Sequence, residues 1–289
     1  MTTVSTPPGG RPPADPPSVD GSSPRRAGTD FPGRASIDAK TLRTDRWWLA
    51  PLVTFSLLTA WVLYALIRTA TQKYYFVEGY GYLSPFSSPC LSQSCIAEAS
   101  LFGQPLPAFP PLVPFAILVL PFLLGFRLTC YYYRKAYYRA FWQSPPACAV
   151  AEPHKGYSGE TRFPLIFQNG HRYFFYAAVL ISLINTYDAI HALFGDDGFQ
   201  LGLGNLILLA NVVLLWAYTA SCHSCRHLMG GRLKHFSKHP VRYKLWTQIS
   251  VLNARHMELA WITLASLVIT DAYVGLVSAG VLSDLRFLN

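Results

Sequence analysis

Cys222, His223, Cys225 and His227 lie within six residues, in the run Ser221-Cys222-His223-Ser224-Cys225-Arg226-His227, just before Gly230-Gly231. Thiolates and imidazoles are the ligands that zinc, copper and iron–sulfur centres select. A single buried cysteine ordinarily serves as a small apolar side chain. Four such groups together, at the end of a long apolar run, are costly to place without a task, so the cluster points to metal or redox chemistry.

The surrounding chain must supply a membrane frame for it. Of 289 residues, 51% are hydrophobic and 13% charged, and several nearly uncharged runs reach helix-spanning length. The sequence predicts an all-α, polytopic membrane protein with five transmembrane helices at about 47–69, 112–133, 171–194, 203–228 and 256–280. Residues 1–46, made of Pro, Gly, Ser and charges with no apolar core, read as a disordered cytoplasmic tail and not as a signal peptide. Residues 47–289 then form the membrane anchor domain.

Basic residues set the expected orientation. Of 24 Lys and Arg, 7 fall in residues 1–46, 7 in 127–172 and 7 in 226–255, leaving Arg68, Lys73 and Arg286 for the opposite face. The positive-inside rule therefore puts the N-terminus in the cytoplasm and the C-terminus outside. The net charge of +9 is thus a topology signal before it is a docking surface, and nucleic acid is not an expected partner. A multi-pass protein of the plasma membrane follows.

With that orientation Cys90 and Cys95 share the oxidising outer face, where a local disulfide is expected. Cys130, Cys148, Cys222 and Cys225 lie at or near the inner rim, as do His154, His171, His223, His227, His235, His239 and His256, whereas only His191 lies toward the outside. At about 100° per residue, His223 and His227 share one helical face. Cys222 and Cys225 point roughly 150° away from it if the helix stays intact. Either the histidine pair joins Cys130 and Cys148, or the cysteine pair joins histidines such as His171 and His256, or the helix unwinds before Gly230. The first arrangement is preferred, because Cys130 matches the depth of the cluster. Asp188 with His191 reads as a polar pair, Asp271 and Glu258 should face the bundle, and Arg68 should snorkel outward.

The runs LTCYYYRKAYYRAFWQSPPACAVAEPH, GETRFPLI, HRYFFYAA, SCHSCRHLMGGRLKHFSKHPVRY and LNARHMELAW resemble the membrane-anchor subunit of actinobacterial succinate dehydrogenase, over about residues 112–289. The resemblance implies a respiratory complex II subunit, active only with a flavoprotein subunit and an iron–sulfur subunit docked on the cytoplasmic face, that passes electrons from succinate to quinone. It also implies a haem-free anchor with a Rieske-type [2Fe-2S] cluster held by two Cys and two His. The candidate ligands are His223, His227, Cys130, Cys148, Cys222 and Cys225. Tyr132, Arg139, Trp142 and Trp246 are candidate quinone-lining residues, chosen for depth and chemistry. The alternatives are a single haem b held by two of His171, His223, His227 and His256, or a zinc-stabilised membrane protein or a transporter using Asp188 and Asp271. This chain alone carries no flavin fingerprint.

Overall fold

Apolar stretches long enough to span a bilayer close their backbone hydrogen bonds internally, and the chain does this with helices. The computed structural model describes residues 41–110, 113–153, 161–163, 165–195 and 198–288, all within one compact unit, Thr41–Asn289. Most of the expected tail, and His154, lie outside the described residues.

The main helices are α1 (Leu49–Thr71), α2 (Leu120–Thr129), α3 (Tyr131–Tyr137), α4 (His171–His191), α5 (Leu203–Ala220), α6 (His223–Gly230), α7 (Pro240–Ala254) and α8 (His256–Ser278). Short hairpins pair β1 (Phe76–Val77) with β2 (Tyr82–Leu83) and β3 (Phe194–Gly195) with β4 (Gly198–Phe199). β5 (Leu201–Gly202) pairs antiparallel with β6 (Arg286–Leu288), which ties the chain's end to the start of α5.

Among the described residues four helices are long and apolar enough to cross a membrane: α1, Leu165–His191 (α4 with its preceding 3-10 turn), α5 and α8. The expected second span is not one continuous helix. Its pieces are a 3-10 turn (Phe115–Leu118), the ten-residue α2, a break at Cys130, α3, and a π-type turn (Tyr138–Trp142). The expected fourth span likewise stops at Ala220, and α6 starts afresh at His223. The basic loop before the last span also contains a helix, the 15-residue α7, which buries none of its residues.

The bundle packs α5 against α8 and α4, and α4 against α2. Only 6% of the most apolar window of α1 is buried, against 44% for α8, so α1 stands at the periphery with its apolar face outward. Close approach depends on missing side chains: a Cβ at Gly125 would come within 2.2 Å of the Phe174 ring, where α2 meets α4.

One end of the bundle collects carboxylates. Cys90 and Cys95 form the expected disulfide there. Asp271 faces the bundle as expected, 1% exposed, and accepts from Arg68 Nε at 2.6 Å. Arg68 therefore folds inward onto a carboxylate instead of snorkelling, because an unpaired buried charge is far costlier than a paired one. Glu258 is exposed and pairs with Arg255, contrary to the inward orientation expected for it. Asp188 takes its hydrogen bond from Ser88 while His191 is exposed beside Tyr187, so those two form no polar pair.

Candidate functional site

Two cysteines sit at helix breaks of the same construction. Cys130 (φ −63°, ψ 127°) separates α2 from α3, and Cys222 (φ −62°, ψ 143°) separates α5 from α6. Each carbonyl accepts from the residue four on, Arg134 at 2.8 Å and Arg226 at 3.1 Å, so each cysteine caps a new helix. At Cys222 the Ser224 backbone N–H donates to Sγ at 3.4 Å, whereas Cys130 Sγ accepts no such cap bond.

Two histidines meet these sulfurs from the first residues of membrane helices. His171, which opens α4, has Nε2 3.1 Å from Cys222 Sγ. His256, which opens α8, has Nε2 3.3 Å from Cys130 Sγ. The two pairs are one assembly, because the rings behind them touch. His171 stacks on Phe126 at 5.1 Å, Tyr218 meets Phe126 at 5.4 Å, and His256 stacks on Tyr218 at 5.0 Å.

Hydrogen-bond accounting fixes the ring protons. Thr129 donates its only hydroxyl proton to Gly125 O at 2.7 Å, and its oxygen lies 2.9 Å from His171 Nδ1. Ser221 donates its proton to Tyr218 O at 2.7 Å, and its oxygen lies 2.7 Å from His256 Nδ1. With those protons committed, both hydroxyls can only accept, so each ring carries its proton on Nδ1 and turns a bare Nε2 toward sulfur. That is the orientation a metal-ligating histidine takes from its supporting hydrogen bond.

Among the described residues no three of the His, Cys, Asp and Glu side chains converge as they would around a single ion. The four come as two Cys–His pairs, not as one four-ligand cage.

The other expected ligands fall elsewhere. His223 and His227 are exposed, and His227 Nδ1 takes a contact from Arg172. Because the helix breaks at Cys222, the expected His223–His227 face does not continue α5. Cys148 is exposed, and its carbonyl accepts from Arg43 at 2.9 Å. Cys225 is buried in the same cluster as Cys222, and burial pushes its thiol up.

The four expected quinone-lining residues also separate. Tyr132 and Arg139 border a cavity of about 700 Å³ that Arg46 and Lys135 share. Trp142 borders a different, apolar cavity of about 400 Å³, between α1, α2 and the turn before α4, into which Arg127, Tyr133, Tyr137 and Gln168 project. Trp246, on α7, stacks with Arg226 at 4.8 Å and borders neither cavity.

Sequence reasoning did not single out Arg127, Thr129 or Ser221. Arg127 is 8% exposed, donates to Tyr133 Oη at 2.7 Å and faces the Tyr218, Tyr133 and Trp61 rings at 4.9, 5.6 and 5.9 Å. A charge inside an apolar run was the available signal.

Residues 49–280 match the family model described as actinobacterial succinate dehydrogenase subunit SdhC. The chain belongs to this family. Among solved structures, a chain of the Mycobacterium smegmatis Sdh1 complex in the apo form is 65% identical, with a TM-score of 0.85, covering 89% of this chain and 98% of that one. No curated protein matches. The expected likeness to SdhC thus holds, and it starts at Leu49, well before residue 112. As an SdhC-family chain this is a subunit of succinate dehydrogenase and a multi-pass plasma-membrane protein, and its Cys–His layer lies inside the matched region.

Proposed function

We propose that this chain anchors the flavoprotein and iron–sulfur subunits of succinate dehydrogenase on the cytoplasmic face and conducts electrons to a membrane quinone. In this reading Cys130, Cys222, His171 and His256 hold a Rieske-type [2Fe-2S] cluster. The observation that carries it is two thiol–imidazole pairs, each imidazole protonated on Nδ1, joined through stacked rings into one layer. The donor types fit the group: two thiolates for one iron and two neutral imidazoles for the other. When bound, such a cluster exchanges one electron at about −150 to +300 mV, against about −400 mV for plant-type ferredoxins.

The protein's own part is orientation and exclusion of water. Thr129 and Ser221 hold the two ring protons away from the sulfurs, while Phe126 and Tyr218 cover the outer ring faces. The Ser224 backbone N–H at Cys222 stabilises charge on that sulfur and raises the potential.

The quinone belongs in the apolar cavity of about 400 Å³. A largely apolar cleft with a few converging polar groups is what a ring with a long apolar tail requires. Gln168 supports this, because its Oε1 is buried with no hydrogen-bond partner while its Nε2 donates to Tyr137 Oη at 2.6 Å. A hydroxyl of a reduced quinone would satisfy that oxygen. Arg127 borders the same cavity and supplies a fixed positive charge where a reduced quinone carries negative charge.

Five crossings with an inward N-terminus remain the topology we favour, the pieces from Phe115 to Trp142 making the second. Pairing sharpens the charge argument: Arg68 and Arg286 at the opposite end bind Asp271 and Asp284. The unpaired positive charge is therefore still more one-sided than the sequence count.

The test is the double substitution His171→Ala/His256→Ala in the assembled complex. Quinone reduction should disappear, iron and acid-labile sulfide should fall, and succinate oxidation by a soluble artificial acceptor should persist. Retained quinone reduction, or a reduced b-type haem band in the unsubstituted complex, would overturn the assignment. His223→Ala/His227→Ala should leave the cluster in place.

A further inference from the structure

The larger cavity, of about 700 Å³, has a composition unlike the quinone cleft. Arg46, Lys135 and Arg139 line it, and no carboxylate among the described residues pairs with any of them. Arg43 also borders it but is neutralised by Asp45, which it grips through two nitrogens. Glu152 lies on an adjoining hollow that Lys135 and Arg139 share, without an ion pair to either.

Below the cations the wall turns apolar. It follows α1 from Ala50 to Leu57, about 10 Å of helix. Trp47 and Trp261 flank the transition, at the level where indoles prefer the membrane interface. Trp261 Nε1 donates to Tyr132 Oη at 2.7 Å, which occupies the phenol as an acceptor and leaves its own proton without an acceptor among the described residues.

Three unpaired cations and a hydroxyl donor above an apolar trough match one ligand chemistry. We infer that this cavity binds an anionic phospholipid, with its phosphate among Arg46, Lys135, Arg139 and the Tyr132 hydroxyl and an acyl chain along α1. A neutral quinone gains nothing from three cations, whereas a phosphate compensates all of them. The inference does not depend on the cluster or on which cavity holds quinone.

The probe is phosphatidylglycerol carrying a photo-activatable headgroup, added to the detergent-purified complex containing this chain, with cross-linked peptides then mapped. Labels should fall on segments 43–57 and 132–139, and phosphatidylcholine with the same label should mark them much less. Arg46→Gln/Lys135→Gln/Arg139→Gln should weaken retention about 5-fold per cation, on the order of 100-fold together. The charge-preserving Arg46→Lys/Lys135→Arg/Arg139→Lys should retain the lipid. Should the neutral variant fail to assemble, labelling of the unsubstituted complex decides alone.

Four results would overturn the inference: equal labelling by phosphatidylcholine, labels confined to other segments, displacement by inorganic phosphate, or displacement by a short-chain quinone. The third would make this a free-phosphate site, and the fourth a quinone site.

Discussion

At the disulfide end of the bundle Asp271 is closed by Arg68, Tyr64 and Ser84, and Asp284 by Tyr82, Tyr273, Arg286 and the Gly204 N–H. At the basic end Cys130 and Cys222 are buried and His171 and His256 half-buried, yet their remaining contacts are thiol–imidazole pairs at 3.1 and 3.3 Å. Charged hydrogen bonds at the first end leave little for a ligand to add. Weak sulfur contacts at the second leave four lone pairs whose strongest partner is a metal. Polar groups buried for stability find their partners within the protein, whereas polar groups buried for function keep a valence for something else.

Removing both imidazoles at the basic end should give the largest functional effect, complete loss of quinone reduction without loss of the fold. Equal damage to thermal stability would make the layer structural and erase the contrast. At the other end the result should be reversed. Asp271→Ala strands the Arg68 guanidinium, and breaking a buried pair this way costs about 3–5 kcal/mol. The check is thermal unfolding of the purified complex, with Asp271→Ala/Arg68→Met recovering much of the loss. Electron transfer in whatever complex survives should be unchanged.

A finer cut separates ligands from their supports. Thr129→Val and Ser221→Ala remove the acceptors for His171 Nδ1 and His256 Nδ1, and changes of this kind typically cost about 10–100-fold in metal affinity or activity. Iron content and quinone reduction should fall together while stability moves little. Should Thr129→Val lower stability alone, its bond to the Gly125 carbonyl would be its only role.

The sequence disclosed the disulfide end more fully than the basic one, for a physical reason. Cys90 and Cys95 are five residues apart, and Asp271 interrupts an apolar run, so local spacing and cost identified both. The proposed site draws its side chains from four elements, and only its Cys222 element announced itself, in a run whose histidines are exposed. An unbroken helix over 203–228 separates Cys222 from any shared site with its neighbours' histidines at the expected angles. The break at Ser221–Cys222 removes that obstacle, and no Pro or Gly marks it. His171 and His256 were candidates, but their pairing with Cys222 and Cys130 depends on the packing of α4 and α8 against α2 and α5, which no local pattern encodes. The breaks in the second expected span were hidden for the same reason: its apolar run is continuous while its backbone is not.

The smallest expected effect concerns acid. Burial alone would raise the Asp284 carboxyl, but donors from Tyr273, the Gly204 N–H, Tyr82 and Arg286 outweigh it and hold the group below its ordinary value. A carboxylate that is more acidic in the folded state contributes its full stabilisation above the unfolded value, about 4. The contribution disappears as pH falls through the lower folded value. Melting temperature should therefore hold from neutral pH down to about 4 and drop below it, and Asp284→Asn should flatten that limb while lowering stability at pH 7. The β5–β6 pairing gives the readout its location, since Arg286 joins Asp284 to the strand that returns to Leu201. An acid limb that survives Asp284→Asn would shift the acid sensitivity to another carboxylate, and the network at the disulfide end would then be stabilised by shape more than by charge.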